Sequence, residues 1–456
     1  MRINQEDTIV APATPAGVSA IAVVRLSGRK AIELVAKFFE GKNLAEAETQ
    51  TVHFGKLKDG DKWIDEVVVT LFRAPHSFTR EDVVEISCHG SSFIVEKITA
   101  LFIRAGARAA QPGEFTLRAF LNGRIDLSQA EAVADIIESD SDSSLHAALN
   151  QVRGGVSAEI KKLRAELIDT ASLLELELDF SEEDVEFANR SQLKKLLEKI
   201  SLLVSDLISS FELGNAIKHG VTTVIAGRPN AGKSTLLNAL LNENRAIVSE
   251  IPGTTRDTIE EVLNIGGIRF RLIDTAGIRE AGDVIEKAGV ERTMEKIKQS
   301  MLLVYVFDIT ELSPEELQAD LNALQVDEKN LLIAGNKTDL DVSARKKFES
   351  NKNIQFISAD KREGINTLKE KLFSKISSGK NQFSDQTIIT NLRHRDALKK
   401  TSETLTNSLS LLQTNSSTEL IALELRSALQ SLGEITGEIS NDELLGNIFS
   451  RFCIGK

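Results

Sequence analysis

Hydrophobic positions along the chain change their period three times, dividing it into four stretches. Within residues 1–120, short alternating runs mix with helical ones. Ser19–Leu26 reads as a strand, Arg29–Phe39 has helical periodicity, and Asp65–Phe72 and Asp82–Cys88 are rich in β-formers. Ser92–Ala105 places Ile94, Ile98, Leu101 and Phe102 on one helical face, while Pro75 and Pro112-Gly113 mark loops. This mixture predicts a small α+β domain. Residues 121–216 carry long stripes instead: Leu127, Ala130, Ala134, Ile137, then Ile160 to Leu178, then Leu193, Leu196, Ile200, Leu203 and Leu207. Steps of three and four residues are those of bundle helices.

From 217 to 378 strand and helix alternate. Strand-like runs are Val221–Ala226, Glu261–Ile265, Phe270–Ile273, Leu302–Phe307, Leu331–Ala334 and Ile354–Ile357. That order predicts a mostly parallel sheet covered by helices on both faces. Ser377–Gln382 reads as a linker. Leucine stripes return over 379–456, at Leu398, Leu405, Leu409, Leu412, and at Ile421, Leu425, Ala428, Leu432. Ser440-Asn441-Asp442-Glu443 opens a last short helix. The helices on either side of the α/β region form one discontinuous bundle with that region inserted, or else two separate helical units.

Composition adds a few limits. Length 456 allows two or three domains, and 55 Lys and Arg against 67 Asp and Glu give a net charge of −12. A broad nucleic-acid-coating surface is not expected from that balance, though a local basic patch is compatible with it. Two cysteines, Cys88 and Cys453, make no disulfide framework. No apolar run approaches a membrane span and Met1–Asp7 reads as no signal peptide, so the expected compartment is the cytoplasm.

The chemistry starts at Gly227-Arg228-Pro229-Asn230-Ala231-Gly232-Lys233-Ser234, between a predicted strand and a predicted helix. Glycines at that spacing let backbone N–H groups turn toward phosphate oxygens at a helix N-terminus. Lys233 is expected to reach the β/γ-phosphates and the Ser234 hydroxyl a Mg²⁺ ion. Asp274-Thr275-Ala276-Gly277 ends the next strand but one, placing a carboxylate for the Mg²⁺ shell and a glycine N–H for the γ-phosphate. Asn336-Lys337-Thr338-Asp339 follows another strand, and the Asp339 carboxylate can accept from both donors of a guanine edge. Ser358 and Ala359 would brace the base from its other side. Thr254 and Thr255, within Ile251–Asp257, can place a hydroxyl on Mg²⁺ and move when the γ-phosphate leaves. These motifs, each at a strand end, resemble the Era-like branch of the translation-factor-related GTPases. Ile278 stands where Ras-like GTPases carry a water-positioning glutamine. Arg228, Arg256 and Arg279 lie nearby, each as much a solvated or structural charge as an arginine finger.

With the tail Phe452-Cys453-Ile454-Gly455-Lys456 and the segments Pro112–Phe115, Arg118–Gly123 and Asp126–Ala132, the whole chain resembles the MnmE (TrmE) family of tRNA-modification GTPases. The resemblance implies a multidomain fold. It comprises an α+β N-terminal folate-binding and dimerising domain (1–120), a discontinuous α-helical bundle (121–216 and 379–456), and an inserted α/β P-loop GTPase domain (217–378). It implies GTP contacts at Asn230, Ala231, Gly232, Lys233, Ser234, Thr235, Ser249, Thr254, Thr255, Asp274, Thr275, Ala276, Gly277, Asn336, Lys337, Asp339, Ser358 and Ala359. Mg²⁺ would sit on Ser234 and Thr255. K⁺ would be held by Asn230, Ser249, Ile251 and Thr254 when two GTPase domains meet, supplying the charge an arginine finger otherwise gives. The water-positioning residue implied is Glu286.

A tetrahydrofolate derivative (5-formyl or methylene) is implied at Arg25, Glu85, Arg124 and Lys456, where a carboxylate suits a pterin edge and cations suit a glutamate tail. Cys453 is either the implied chemical residue or a small buried apolar side chain. Ser91 stands where His-Gly-Gly is expected. The implied partners are a homodimer, a heterotetramer with the FAD protein MnmG (GidA), and tRNA. The implied product is an aminomethyl or carboxymethylaminomethyl group on C5 of the wobble uridine. Two other readings stand beside it. An Era-like ribosome-assembly GTPase would need an appended RNA module, and no basic GXXG segment follows the GTPase region. A force-generating scaffold would have no use for Cys453 or Lys456.

Overall fold

The computed structural model describes residues 7–179, 190–241, 260–274, 294–349, 351, 353–377, 387–414 and 416–456. The chain divides into two units, one of Met1–Ile137, Gln151–Ile200 and Lys400–Lys456, the other of Glu138–Asn150 and Ser201–Lys399.

The first unit holds a seven-stranded sheet. Its strands are β1 (Ile9–Pro12), β2 (Ser19–Ser27), β3 (Phe39–Glu40), β4 (Thr51–Asp59), β5 (Lys62–Phe72), β6 (Val83–Gly90) and β7 (Arg108–Ala109), in the order β3-β4-β5-β6-β2-β1-β7. All neighbours run antiparallel except β1 and β7. Alternation sends Val24, Leu26, Val67, Val69, Leu71, Val84 and Ile86 to one face. There they pack with Ile98, Leu101 and Phe102 of the helix Ser92–Arg104. Arg25 and Glu85 stand directly opposite each other in the β2–β6 register, on the other face. Ile21, Val52 and Phe54 are exposed. Two expectations change here. The helix read over Arg29–Phe39 is only Ala31–Ala36, with Phe39 already in β3. Ser91 takes the N-cap position of the helix Ser92–Arg104 in ordinary extended backbone, so that position needs no second glycine.

The bundle question is answered within the same unit. Helix Gly155–Asp179 packs antiparallel to Thr418–Thr436, burying Ile160, Leu163, Leu167 and Leu174 against Ile421, Leu425, Ala428 and Leu432. Ion pairs Arg164–Glu438 (2.5 Å) and Arg426–Glu175 (2.8 Å) fix the register. Helices from both flanks of the inserted region therefore belong to one bundle. In Arg190–Ser209 the buried stripe is Leu193, Leu197, Ile200 and Val204, displaced by one residue from the expected Leu196, Leu203 and Leu207. One stretch departs from the expectation of no membrane-length apolar run. Arg190–His219 contains an 18-residue window of mean hydropathy 1.3, of which 33% is buried. By length and composition alone it could cross a membrane; its buried positions recur at the spacing of a bundle helix.

The second unit carries a six-stranded sheet: β8 (Val221–Ala226), β9 (Glu260–Ile265), β10 (Ile268–Asp274), β11 (Leu302–Asp308), β12 (Leu331–Asn336) and β13 (Ile354–Phe356). The order is β13-β12-β11-β8-β10-β9, parallel except for the β9–β10 hairpin. Every residue of β11 is buried, as a central strand covered on both faces must be.

Candidate functional site

In the second unit the loops that follow β8, β12 and β13 meet at the carboxyl ends of the strands, the usual ligand edge of such a sheet. Gly227 to Ser234 links β8 to the helix Lys233–Leu241. Gly232 has φ +90°, and a Cβ there would strike the Asn336 side-chain amide, so only glycine lets the two loops touch. Asn230 itself takes a left-handed φ of +61° and is exposed. Lys233 Nζ donates to the carbonyls of Gly227 (3.0 Å) and Arg228 (2.9 Å), folded back over its own loop. A cavity of about 800 Å³ opens above, lined by Asn230, Lys233, Ser234, Thr235 and Lys337 among others.

Asn336, 3% exposed, joins three loops. Its Nδ2 donates to Ala231 O (2.9 Å) and its Oδ1 accepts from Ala359 N (3.0 Å). The Asp339 carboxylate accepts from the Ser358 hydroxyl at 2.6 Å, a bond that lowers its pKa, and the residue stays exposed toward a ligand. Lys337 Nζ pairs with Asp308 at 2.6 Å. Burial would raise the Asp308 pKa, but bonds from Lys337 and Thr310 lower it. Asp274 ends β10, two residues ahead of the glycine loop in the register with β8, where Asp274 stands opposite Ile225.

Arg228 is a structural charge. Its guanidinium pairs with Asp320 (2.7 Å) and Glu316 (3.2 Å) on the helix Pro314–Leu324, and the Tyr305 hydroxyl also donates to Asp320. The predicted Ser249, Ile251, Thr254, Thr255, Thr275, Ala276, Gly277 and Glu286, with Arg256, Ile278 and Arg279, lie outside the described residues.

A second charged site lies in the first unit. Arg25 Nη2 and Nε reach Glu85 Oε1 at 2.7 and 2.9 Å, while Arg25 Nη1 donates to Gly455 O at 3.0 Å. The chain's last residues thus return to β2. Gly455, at φ +94°, lies so close to the Pro12 carbonyl that a side chain would clash. The pKa of Lys456 is lowered by burial and then by Arg25, with Cys453 pulling the other way. Arg25 lies over the Phe115 ring (5.7 Å) and Arg124 over Phe78 (5.3 Å), two aromatics of one apolar cluster. Arg25, Glu85 and Lys456 are thereby brought together, with Arg124 on the same cluster. Cys453 is exposed and is not the small buried side chain of the alternative reading. Cys88 takes that part, its thiol pushed up to about 11 by burial.

The sequence reading missed the support beneath this site. Arg118, fully buried, pairs with Asp7 (2.5 Å), Glu114 (3.1 Å) and Glu81 (3.2 Å), and Arg108 with Glu114 (2.5 Å) and Asp7 (2.6 Å). Only the i,i+4 spacing of Glu114 and Arg118 hinted at it in sequence.

Family models match most of the chain. One described as the MnmE helical domain covers residues 127–453, and one described as the GTP-binding protein TrmE N-terminus covers 8–124. Similar curated proteins bear the name tRNA modification GTPase MnmE. That of Cytophaga hutchinsonii is 54% identical over 99% of this chain and 98% of its own length. Those of Flavobacterium johnsoniae and Bacteroides thetaiotaomicron are 51% and 47% identical, over 100% and 99% of this chain and all of their own.

Proposed function

The chain belongs to the MnmE family of tRNA-modification GTPases, and from that premise we propose how its own residues do the work. It is a GTP hydrolase acting in tRNA modification. The observation that carries the reading is the junction of Gly232, Asn336 and Ala359, which joins the phosphate loop to the base loop beside the Asp339 carboxylate. On this reading Lys233 leaves the carbonyls of Gly227 and Arg228 for the β/γ-phosphates as GTP enters. Asp339 takes the two guanine donors, and Ser358 and Ala359 brace the base. Water then attacks the γ-phosphorus, the bond to the bridging oxygen breaks, and GDP and phosphate leave.

Oxygen donors suit hard cations, and the loop offers them in the exposed Asn230 amide and Ser234 hydroxyl. We assign Mg²⁺ to Ser234 and Thr255, and K⁺ to Asn230, Ser249, Ile251 and Thr254. Bound there, the cations offset charge developing at the β–γ bridge. Glu286 would orient the attacking water.

The Arg25–Glu85 pair and Lys456 fit a tetrahydrofolate derivative: one carboxylate for a donor edge, cations for an anionic tail, with Arg124 alongside. When bound, the folate supplies a one-carbon unit, which Cys453 is exposed to meet. The exposed Ile21, Val52 and Phe54 support a homodimer through the first unit. Further parts of the proposal are the FAD partner MnmG, a C5-aminomethyl or carboxymethylaminomethyl product at the wobble uridine, a cytoplasmic setting, and domains at 1–120, 121–216 with 379–456, and 217–378. Nucleoside analysis of tRNA from cells lacking the chain tests this; unaltered wobble uridines would refute it. Equal GTP turnover in K⁺ and Na⁺ would remove the cation assignment and leave the GTPase standing.

A further inference from the structure

Charge is unevenly distributed along this acidic chain. From Val342 to Ser377 there are nine Lys and Arg against four Asp and Glu, a local balance of +5 in a protein of −12 overall. This segment comprises the 3₁₀ helix Val342–Phe348, the edge strand β13, and the helix Ile365–Ser377, whose Leu368 and Leu372 pack into the core of the sheet and which reaches β9. Lys346, Lys347, Lys361 and Arg362 are exposed. Among the described residues Lys346, Lys347, Arg362 and Lys371 make no ion pair, and Lys361 meets only its neighbour Asp360, at 3.4 Å.

Residues from both parts of this segment line one cavity of about 820 Å³. Asn351 and Asn353, from the loop just after Lys347, line it together with Lys371 and Lys375. Side-chain amides of Gln318 and Asn322 line it too. The acids nearby are Asp327 and Glu328, and Lys375 Nζ donates to the Glu328 carbonyl at 2.8 Å. From Arg362 to Lys375 the cations span roughly 20 Å along the helix and its leading turn, at about 1.5 Å per helical residue. That is room for several phosphates at about 3.4 Å per nucleotide along a strand. Cations spaced along this segment, with side-chain amides beside them in the cavity, match a phosphodiester backbone and its 2′-hydroxyls.

We propose that this basic segment, around the cavity, is where the backbone of the RNA substrate docks on the GTPase unit. The inference rests on the family reading that the substrate is tRNA. It accounts for how a chain of net negative charge holds a polyanion: this segment is locally basic, at +5, within an acidic whole. A different reason for lysines here would be to keep the edge strand β13 from pairing with another chain, and that role binds no RNA.

The test uses the full-length protein and unmodified tRNA, with affinity measured by fluorescence anisotropy between 50 and 200 mM salt. Two charge reversals are compared with wild type, Lys346→Glu with Lys347→Glu, and Lys371→Glu with Lys375→Glu; the matching Lys→Gln pairs cover a reversal that fails to fold. Each lysine withdrawn from a phosphate should reduce the slope of log K against log salt by about one, so each pair should lower it by about two. GTP hydrolysis without RNA should match wild type. Wild-type affinity and slope in both pairs would overturn the inference while leaving the tRNA reading intact. No salt-dependent binding by the wild-type chain would also overturn the inference, the tRNA reading being decided separately by the nucleoside analysis.

Discussion

Replacing Asn336 by alanine removes two hydrogen bonds at once, to Ala231 O and from Ala359 N, at a residue 3% exposed. Each loss leaves a backbone group without its partner, at about 1–3 kcal/mol apiece. The cavity beside Asn230 and Lys233 can admit water to the Ala231 side, so the lower part of that range applies, about 2–3 kcal/mol in total. At about 2–4 °C per kcal/mol for a unit of this size, the melting transition that responds to GDP should fall by about 4–12 °C. The phosphate and base loops would no longer be held together before the nucleotide arrives. Fluorescent GDP should therefore bind on the order of 10- to 100-fold more weakly, since 1.4 kcal/mol is tenfold. Asn336→Asp is the control that isolates the cause. It keeps the acceptor for Ala359 N but turns a carboxylate toward the Ala231 carbonyl, so it should do no better than alanine. Calorimetry on the full chain with and without GDP, plus a GDP titration, reads both quantities. A melting shift under about 1 °C with unchanged affinity, or an aspartate variant as good as wild type, would refute the junction as the organising contact.

Brief iodoacetamide treatment of the native chain should label Cys453 alone, with Cys88 reacting only after unfolding, because one thiol is exposed and the other is buried with its pKa pushed up to about 11; peptide mass mapping checks this. Asp7 and Glu114 titrate below their ordinary 3.8 and 4.5, since bonds from Arg108 and Arg118 outweigh the burial that opposes them. The unfolded chain therefore takes up protons first, and their contribution is complete above about pH 4.5 and drains away as the pH falls. Glu114→Gln should flatten the acid limb of a stability-against-pH curve for the first unit, and an unchanged limb would contradict the network's role. Asp339→Asn offers guanine a donor where it needs an acceptor, so GTP binding should fall by several orders of magnitude, on the order of 10⁴ at most. Competition with xanthosine triphosphate, whose C2 carbonyl can accept from the new amide, should show that base preferred.

Legibility followed the way each face is buried. The strands of the second unit read plainly because parallel strands covered on both sides are continuous apolar runs; Leu302–Phe307 was expected and Leu302–Asp308 is found. β4 was invisible because its alternation is inverted. His53, Gly55 and Leu57 point inward while Val52 and Phe54 are exposed, so the usual inside-apolar pattern gives no signal. In Arg190–Ser209 a leucine-rich sequence offers two stripes one residue apart, and only packing chose Leu197 and Val204. That the glycine loop and the Asp339 loop would come together at the strand ends was legible from spacing. The pairing of Lys337 with Asp308 and of Arg228 with Asp320 was not, because those contacts depend on which strands are neighbours. For the same reason Arg25 and Lys456 could be joined only by a family resemblance, and the bond from Arg25 to Gly455, 430 positions away, could not be read at all.

The bond between Arg25 and Gly455 also couples the tail to whatever binds beside it. Arg25 is held by one carboxylate, Glu85, and by the carbonyl of Gly455. Docking the tail also brings the Lys456 ammonium toward the Arg25 guanidinium, and burial together with that like charge presses Lys456 toward its neutral form. The docked tail therefore carries a cost that an anion at this site would relieve. A ligand with a carboxylate tail would favour the charged lysine, and through it the docked tail. By linkage the docked tail would favour the ligand by the same factor. If the proposed folate binds here, tail and ligand would hold each other in place.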